Sequence, residues 1–178
     1  MAQLINLLRI RNWLSESAGR DAIFVSIRFK TSPKSKDELC DRCKKVFRLT
    51  FRKLLRRHWF KTYERWFFFI GFQEYGFFAD TQMHAHFIIG ACESIRPNPK
   101  ININALVDAM KSLSDEFGMD VWASDEDKAQ NPKRYGGDIM IKRIYSDEVF
   151  SYAIKEVWFD GYKITNDTII TSACLFGR

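Results

Sequence analysis

The chain reads as an α+β fold: a central antiparallel sheet of about five strands with flanking helices. Three observations predict it. Residues 21–30, DAIFVSIRFK, alternate Val25, Ile27 and Phe29 with Ser26, Arg28 and Lys30, the period of a half-buried strand. Residues 37–60 carry Leu39, Cys43, Val46, Phe47, Leu54 and Leu55 at helical spacing, with basic residues on the other side. Beyond them, apolar segments come as pairs of strands, each pair followed by a helix. The order is β-α-β-β-α-β-β-α, which suits a layer of helices on an antiparallel sheet.

Each element has its own warrant. Residues 2–16 form a short, mildly amphipathic helix. TSPKSKD (31–37) is a loop that opens the 37–60 helix. ERWFFFIGFQEYG (64–76) is the second strand, FFADTQ connects it, and MHAHFIIGAC (83–92) is the third. RPNPK breaks the chain before an amphipathic helix at 102–118, which Gly118 stops. MDVWASD (119–125) and DIMIKRIY (138–145) are strands separated by a polar loop, EDKAQNPKRYGG. SDEVFSYAIKEVWF (146–159) is a helix with Ser146 as its cap and two acids in its first turn. Residues after Gly161 read as a strand or a tail. The whole, 1–178, is one domain of ferredoxin-like kind, with a core at about 21–160, the N-terminal helix at 2–16 and a C-terminal tail at 161–178.

The charge is +6, and much of the excess lies in RCKKVFRLTFRKLLRR (42–57). Such clustering has two readings, a polyanion partner or a solvated helix face. The four cysteines do not suggest a disulfide framework: Cys40-x-x-Cys43 has no second pair at zinc-site spacing, and reduced thiols are expected. No run approaches the ~20 apolar residues of a membrane helix, and the N-terminus lacks a signal peptide's apolar core, so an intracellular protein without a membrane partner is expected.

Two of the chain's 3 histidines, His84 and His86, lie one residue apart in a strand and so share a face. They are two satisfied core histidines or two ligands converging on one ion. A hairpin of strands 64–76 and 83–92 sets residue 74 opposite residue 84, so Glu74 would complete a His-His-Glu set; a slip of one residue would substitute Gln73. A carboxylate suits Mg²⁺ or Mn²⁺.

Tyr152 and Lys155 in YAIK are helical neighbours at i and i+3. Alone they read as a core tyrosine beside a surface lysine. A phenol, pKa about 10, is a weak nucleophile at neutral pH. A divalent cation polarising the electrophile and a nearby ammonium would remedy that.

FVSIRFK (24–30), HAH (84–86) and YAIK (152–155), in that order, resemble the three motifs of the HUH endonuclease superfamily, specifically the single-tyrosine rolling-circle replication initiators of plasmids and small single-stranded DNA viruses. The resemblance spans about 21–160. It implies an HUH variant of the ferredoxin or RNA-recognition fold that nicks and rejoins single-stranded DNA. His84, His86 and Glu74 would hold Mg²⁺ or Mn²⁺. Tyr152 would attack phosphorus to give a 5′-phosphotyrosine and a 3′-hydroxyl, with Lys155 orienting or neutralising the attacked group. The partner would be single-stranded DNA at an origin or hairpin, with a separate host or replicon helicase, because no P-loop follows. The chain would be a minimal nuclease or the N-terminal piece of a longer protein. The compartment would be the cytoplasm, or the nucleus for a eukaryotic virus. Ala85 departs from the bulkier apolar residue usual between the histidines.

The residues also offer a DNA surface. Arg28 and Lys30 share a face of the first strand, and Lys44, Arg48 and Arg52 line the first long helix beside Lys45, Lys53, Arg56 and Arg57. Tyr75, Phe77 and Phe78 would stack on bases or pack in the core. Three rivals stand beside this reading. Small single-tyrosine transposases share the motif order but usually carry Gln where Lys155 stands. A non-catalytic RNA-recognition-type module needs neither metal nor histidines. Phosphoesterases with two H-x-T/S motifs need a second pair, and His58 stands alone.

Overall fold

In a computed structural model, the structure describes residues 2–19, 21–56, 59–74, 82–91, 100–155, 157, 159–160, 163–164 and 168–176. Six strands form one sheet: β1 (Ile23–Arg28), β2 (Phe67–Glu74), β3 (His84–Ala91), β4 (Asp120–Trp122), β5 (Asp138–Arg143) and β8 (Ile169–Ile170). A separate ribbon pairs β6 (Phe159–Asp160) with β7 (Lys163–Ile164). The sheet order is β4-β5-β1-β3-β2-β8.

The expected antiparallel sheet of about five strands is thus corrected to a mixed sheet of six, because β4 and β5 run parallel. Parallel neighbours need a crossover, and the segment read as a polar loop supplies it. It contains α6 (Asp125–Gln130), capped by the Ser124 hydroxyl, which accepts a hydrogen bond from the Asp127 N–H. The returning chain is tied to the start of β4 by the buried Asp120 carboxylate, which accepts from the backbone N–H groups of Arg134 and Tyr135.

Alternation along β3 divides the molecule. Ala85, Phe87 and Ile89 face one layer of helices: α2 (Lys36–Leu55), α3 (Trp59–Trp66), α4 (Ile103–Lys111), α5 (Ser114–Phe117) and α8 (Ser172–Phe176). Much of the phenylalanine goes here. Phe47 meets Phe69 and Phe87 edge to face, with centroids 4.7 and 4.6 Å apart, and Phe51 stacks beneath Tyr63. A fully buried ring of this kind stabilises by about 1.5–3 kcal/mol.

The single helix expected over 37–60 is two. α2 begins at Ser35, whose hydroxyl accepts from the Glu38 N–H, and ends at Arg56, a non-glycine residue at φ 60°. The turn redirects the chain so that Trp59 and Tyr63 return over Phe51. The 102–118 helix likewise divides into α4 and α5, and Gly118 closes the second at φ 65°. The C-terminal stretch supplies β8 on the edge of β2 and α8, whose Leu175 is fully buried.

His84, His86, Ile88 and Gly90 face the other layer, formed by α1 (Ala2–Ala18) and α7 (Glu148–Ala153) over Ile70, Phe72 and Ile88. Gly90 lets α1 approach this closely: a β-carbon there would lie 1.9 Å from the Ala18 carbonyl oxygen. The helix expected over 146–159 is confined to α7. Asp147, not Ser146, occupies its cap, without a side-chain cap bond, and its carboxylate accepts from Ser15 of α1. No helix of the described residues is long and apolar enough to cross a membrane.

Candidate metal centre

β2 and β3 form the hairpin the sequence predicts, in the predicted register: Glu74 pairs with His84, and Phe72 with His86. Directly opposed residues share a face, so the carboxylate and both imidazoles converge where the hairpin opens. Both imidazoles are buried, and a set of potential ligand atoms from Glu74, His84 and His86 lies within 4.8 Å of one another.

The hydrogen bonds fix what each atom offers. His84 Nδ1 is 2.8 Å from the Gln82 carbonyl oxygen. A carbonyl only accepts, so Nδ1 carries the proton and, in the neutral ring, Nε2 presents a lone pair. That Nε2 is buried with no hydrogen-bond partner, 3.4 Å from Glu74 Oε2. His86 Nε2 lies 2.6 Å from the same oxygen. The other carboxylate oxygen, Oε1, accepts from Lys155 Nζ at 2.7 Å.

Burial alone would raise the Glu74 carboxyl, but its polar neighbours, the two imidazoles and the Lys155 ammonium, outweigh it and hold the group far below the usual carboxylate range. Burial pushes His86 below its ordinary value, and the neighbouring His84 adds to this against the pull of Glu74. Burial would also lower Lys155, but its bond to Glu74 prevails and raises it. The centre is therefore a carboxylate, a neutral His86 and an ammonium. An orphaned lone pair, a second imidazole and an ionised carboxylate make a donor set that fits a divalent cation.

The tyrosine joins this group. The Tyr152 ring stands edge-on to His86, with centroids 5.3 Å apart, and 6.0 Å from Phe24. Lys155 lies in the turn after α7, where its N–H bonds the Tyr152 carbonyl, and its Nζ sits 4.0 Å from the Tyr152 ring centroid. Tyr152 is 44% exposed, so solvent or a substrate reaches it.

The expected DNA residues separate. Arg28 is exposed at the end of β1, on the face that carries Phe24 and Ser26, and Lys30 is exposed just beyond, against Gly136. Lys44, Arg48 and Arg52 are exposed on α2, which packs on the opposite layer. Arg57, His58, Tyr75, Phe77 and Phe78 lie outside the described residues. Cys40, Cys43 and Cys174 are free thiols.

The sequence reading missed Phe24, stacked on His86 at 4.8 Å, and Ser26, the cross-strand neighbour of His86. The alternation of β1 showed that Ser26 and Arg28 share a face, but only the pairing of β1 with β3 reveals which. No family model, curated protein or solved structure matches the chain.

Proposed function

We propose that this chain is a metal-dependent nuclease and strand transferase that nicks single-stranded DNA and rejoins it through a tyrosyl phosphodiester, the chemistry of the HUH endonucleases its motifs resemble. One observation carries the reading. Three short motifs, far apart in the chain, meet at one place: Phe24 stacks on His86, the Tyr152 ring stands beside His86, and Lys155 is bonded to the Glu74 that faces both histidines.

His84 and His86 through Nε2, and Glu74 through Oε2, would hold Mg²⁺ or Mn²⁺, which supplies Lewis-acid polarisation of a phosphate oxygen. Glu74 and Lys155 cancel each other's charge, so a loaded site is net positive toward a phosphodiester. Tyr152 is the nucleophile. Its Oη forms a bond to phosphorus as the P–O3′ bond breaks; the phenol gives up its proton, and the departing 3′-oxygen takes one up. Lys155, whose Nζ sits 4.0 Å from the Tyr152 ring centroid, orients the attacked group or neutralises its charge. The reverse step, attack by a 3′-hydroxyl, restores the phosphodiester and needs no nucleotide. Arg28 extends the cationic surface beside the site, suited to the backbone of the bound strand.

The test uses an end-labelled library of single strands with random and hairpin cores, incubated with the chain and Mn²⁺ or Mg²⁺ and resolved on a denaturing gel. A protein–DNA adduct that chelation prevents is the expected result. Native shifts across all sequences, with no adduct under any metal, would replace the nuclease with a binding module.

A further inference from the structure

Ser26 is the single polar side chain in the run IFVSI of β1, and it is 93% buried, at 7% exposure. It pairs directly with His86 across the β1–β3 ladder. Residues so paired point to the same face with Cβ atoms about 5 Å apart. The Ser26 hydroxyl and His86 Nδ1 are both buried, and neither has a hydrogen-bond partner. Two unsatisfied polar atoms on adjoining strands, beside the Glu74 cluster, call for a reason.

Proton placement on His86 supplies one. A carboxylate accepts only, so the contact with Glu74 Oε2 uses the Nε2–H. To offer Nε2 to a cation, the neutral ring must carry its proton on Nδ1, and that N–H then needs an acceptor. Phe24 stacks against the ring and Tyr152 meets it edge-on, so the aromatic neighbours provide no oxygen there except the Tyr152 phenol that the chemistry uses. The Ser26 hydroxyl is the buried oxygen on the adjoining strand. The two atoms are not hydrogen-bonded as they stand, so a change of the Ser26 χ1 rotamer or one bridging water would have to close the gap.

We propose that Ser26 is a positioning residue of the metal centre, its Oγ accepting the Nδ1–H of His86 and so fixing the tautomer that presents Nε2 to a divalent cation. The outer partner of a ligating histidine sets both ring orientation and basicity. This rests on the metal-binding part of the proposed function, but not on the nuclease step.

The experiment titrates the full chain with Mn²⁺, read by electron paramagnetic resonance, and with Mg²⁺, read by the ¹⁵N shifts of the histidine rings. Variants are Ser26→Ala, Ser26→Thr and His86→Ala. Ser26→Ala is expected to weaken Mn²⁺ binding by about 10–100-fold, the range for loss of such a partner, with an unchanged urea midpoint. Ser26→Thr, which keeps the hydroxyl, is expected to restore binding. Mg²⁺ is expected to move the His86 proton from Nε2 to Nδ1 in the wild type, and incompletely in Ser26→Ala. Wild-type affinity in Ser26→Ala alongside loss in His86→Ala overturns the role of Ser26 and leaves the metal site standing. A lowered urea midpoint that Ser26→Thr fails to rescue assigns Ser26 to packing and also overturns it. If wild type and His86→Ala bind Mn²⁺ equally, both the metal site and the role of Ser26 fall.

Discussion

Lys155 Nζ lies 2.7 Å from Glu74 Oε1, joining residues 81 positions apart. The pair divides the carboxylate: Oε1 takes the ammonium, and Oε2 faces the imidazoles. It also ties the turn after α7 to the end of β2, which keeps Tyr152 beside the histidine pair. A double-mutant cycle of Glu74→Gln and Lys155→Met, followed by urea denaturation, is expected to give a coupling of about 1 kcal/mol, toward the lower end for contacting residues because Lys155 is partly exposed. Additive effects would mean that the pair contributes nothing to seating α7.

Tyr152→Phe is expected to abolish the covalent adduct while leaving affinity for single strands and for Mn²⁺ near wild type. The ring that touches His86 and Phe24 is kept, and only the hydroxyl is lost. Denaturing gels and native shifts measure the two properties separately. Adduct surviving in this variant would transfer the nucleophile to another tyrosine. Tyr145, 89% exposed in the link between β5 and α7, is the first to examine.

The site was more legible than the topology. The period of two placed both imidazoles on one face, and a hairpin of adjacent strands is a local relation, so the Glu74–His84 register followed from short-range geometry. The neighbour of β3 on its other side is β1, sixty residues earlier in the chain by register partners Ser26 and His86. No local pattern encodes that pairing, and Ser26 and Phe24 stayed hidden with it. The parallel crossover was partly readable. Ser124 followed by Asp125, Glu126 and Asp127 is a helix-start signal that the polar reading of 126–137 overlooked. The break at Arg56 had no such signal, because neither glycine nor proline marks it and the aromatic packing of Trp59 and Tyr63 on Phe51 enforces it.

The crossover gives a pH prediction away from the candidate site. Asp127 accepts from the Ala123 N–H and from Lys111 Nζ, and these bonds, the backbone one first, hold its carboxyl below the ordinary 3.8 despite some burial. A depressed carboxyl stabilises the fold above its unfolded value, and the contribution disappears as pH falls through the folded one. Asp127→Asn is therefore expected to cost about 1 kcal/mol at pH 7, the scale of a lost cap. The gap from wild type should close as the pH drops below about 4. Urea midpoints at a series of pH values measure it, and a gap independent of pH would assign the loss to shape rather than charge.

The two groups of basic residues should behave differently, because the sheet lies between them. Arg28 is on the Tyr152 side, whereas Lys44, Arg48 and Arg52 are exposed on α2, whose apolar face packs on the opposite layer. Among the described residues, these three make no ion pair that would account for them. Arg28→Gln is expected to weaken single-strand binding and slow adduct formation at limiting DNA. Replacing Lys44, Arg48 and Arg52 together by Gln is expected to leave the single-turnover adduct rate at saturating DNA unchanged, since no part of α2 meets Tyr152. If these cations contact phosphates at all, the triple variant lowers affinity alike for all sequences and reduces the salt dependence by about 0.7 per lost contact on single strands. An unchanged slope would return α2 to an ordinary solvated face. A changed saturated rate would show that the bound strand passes around the sheet edge and that both layers act on one substrate.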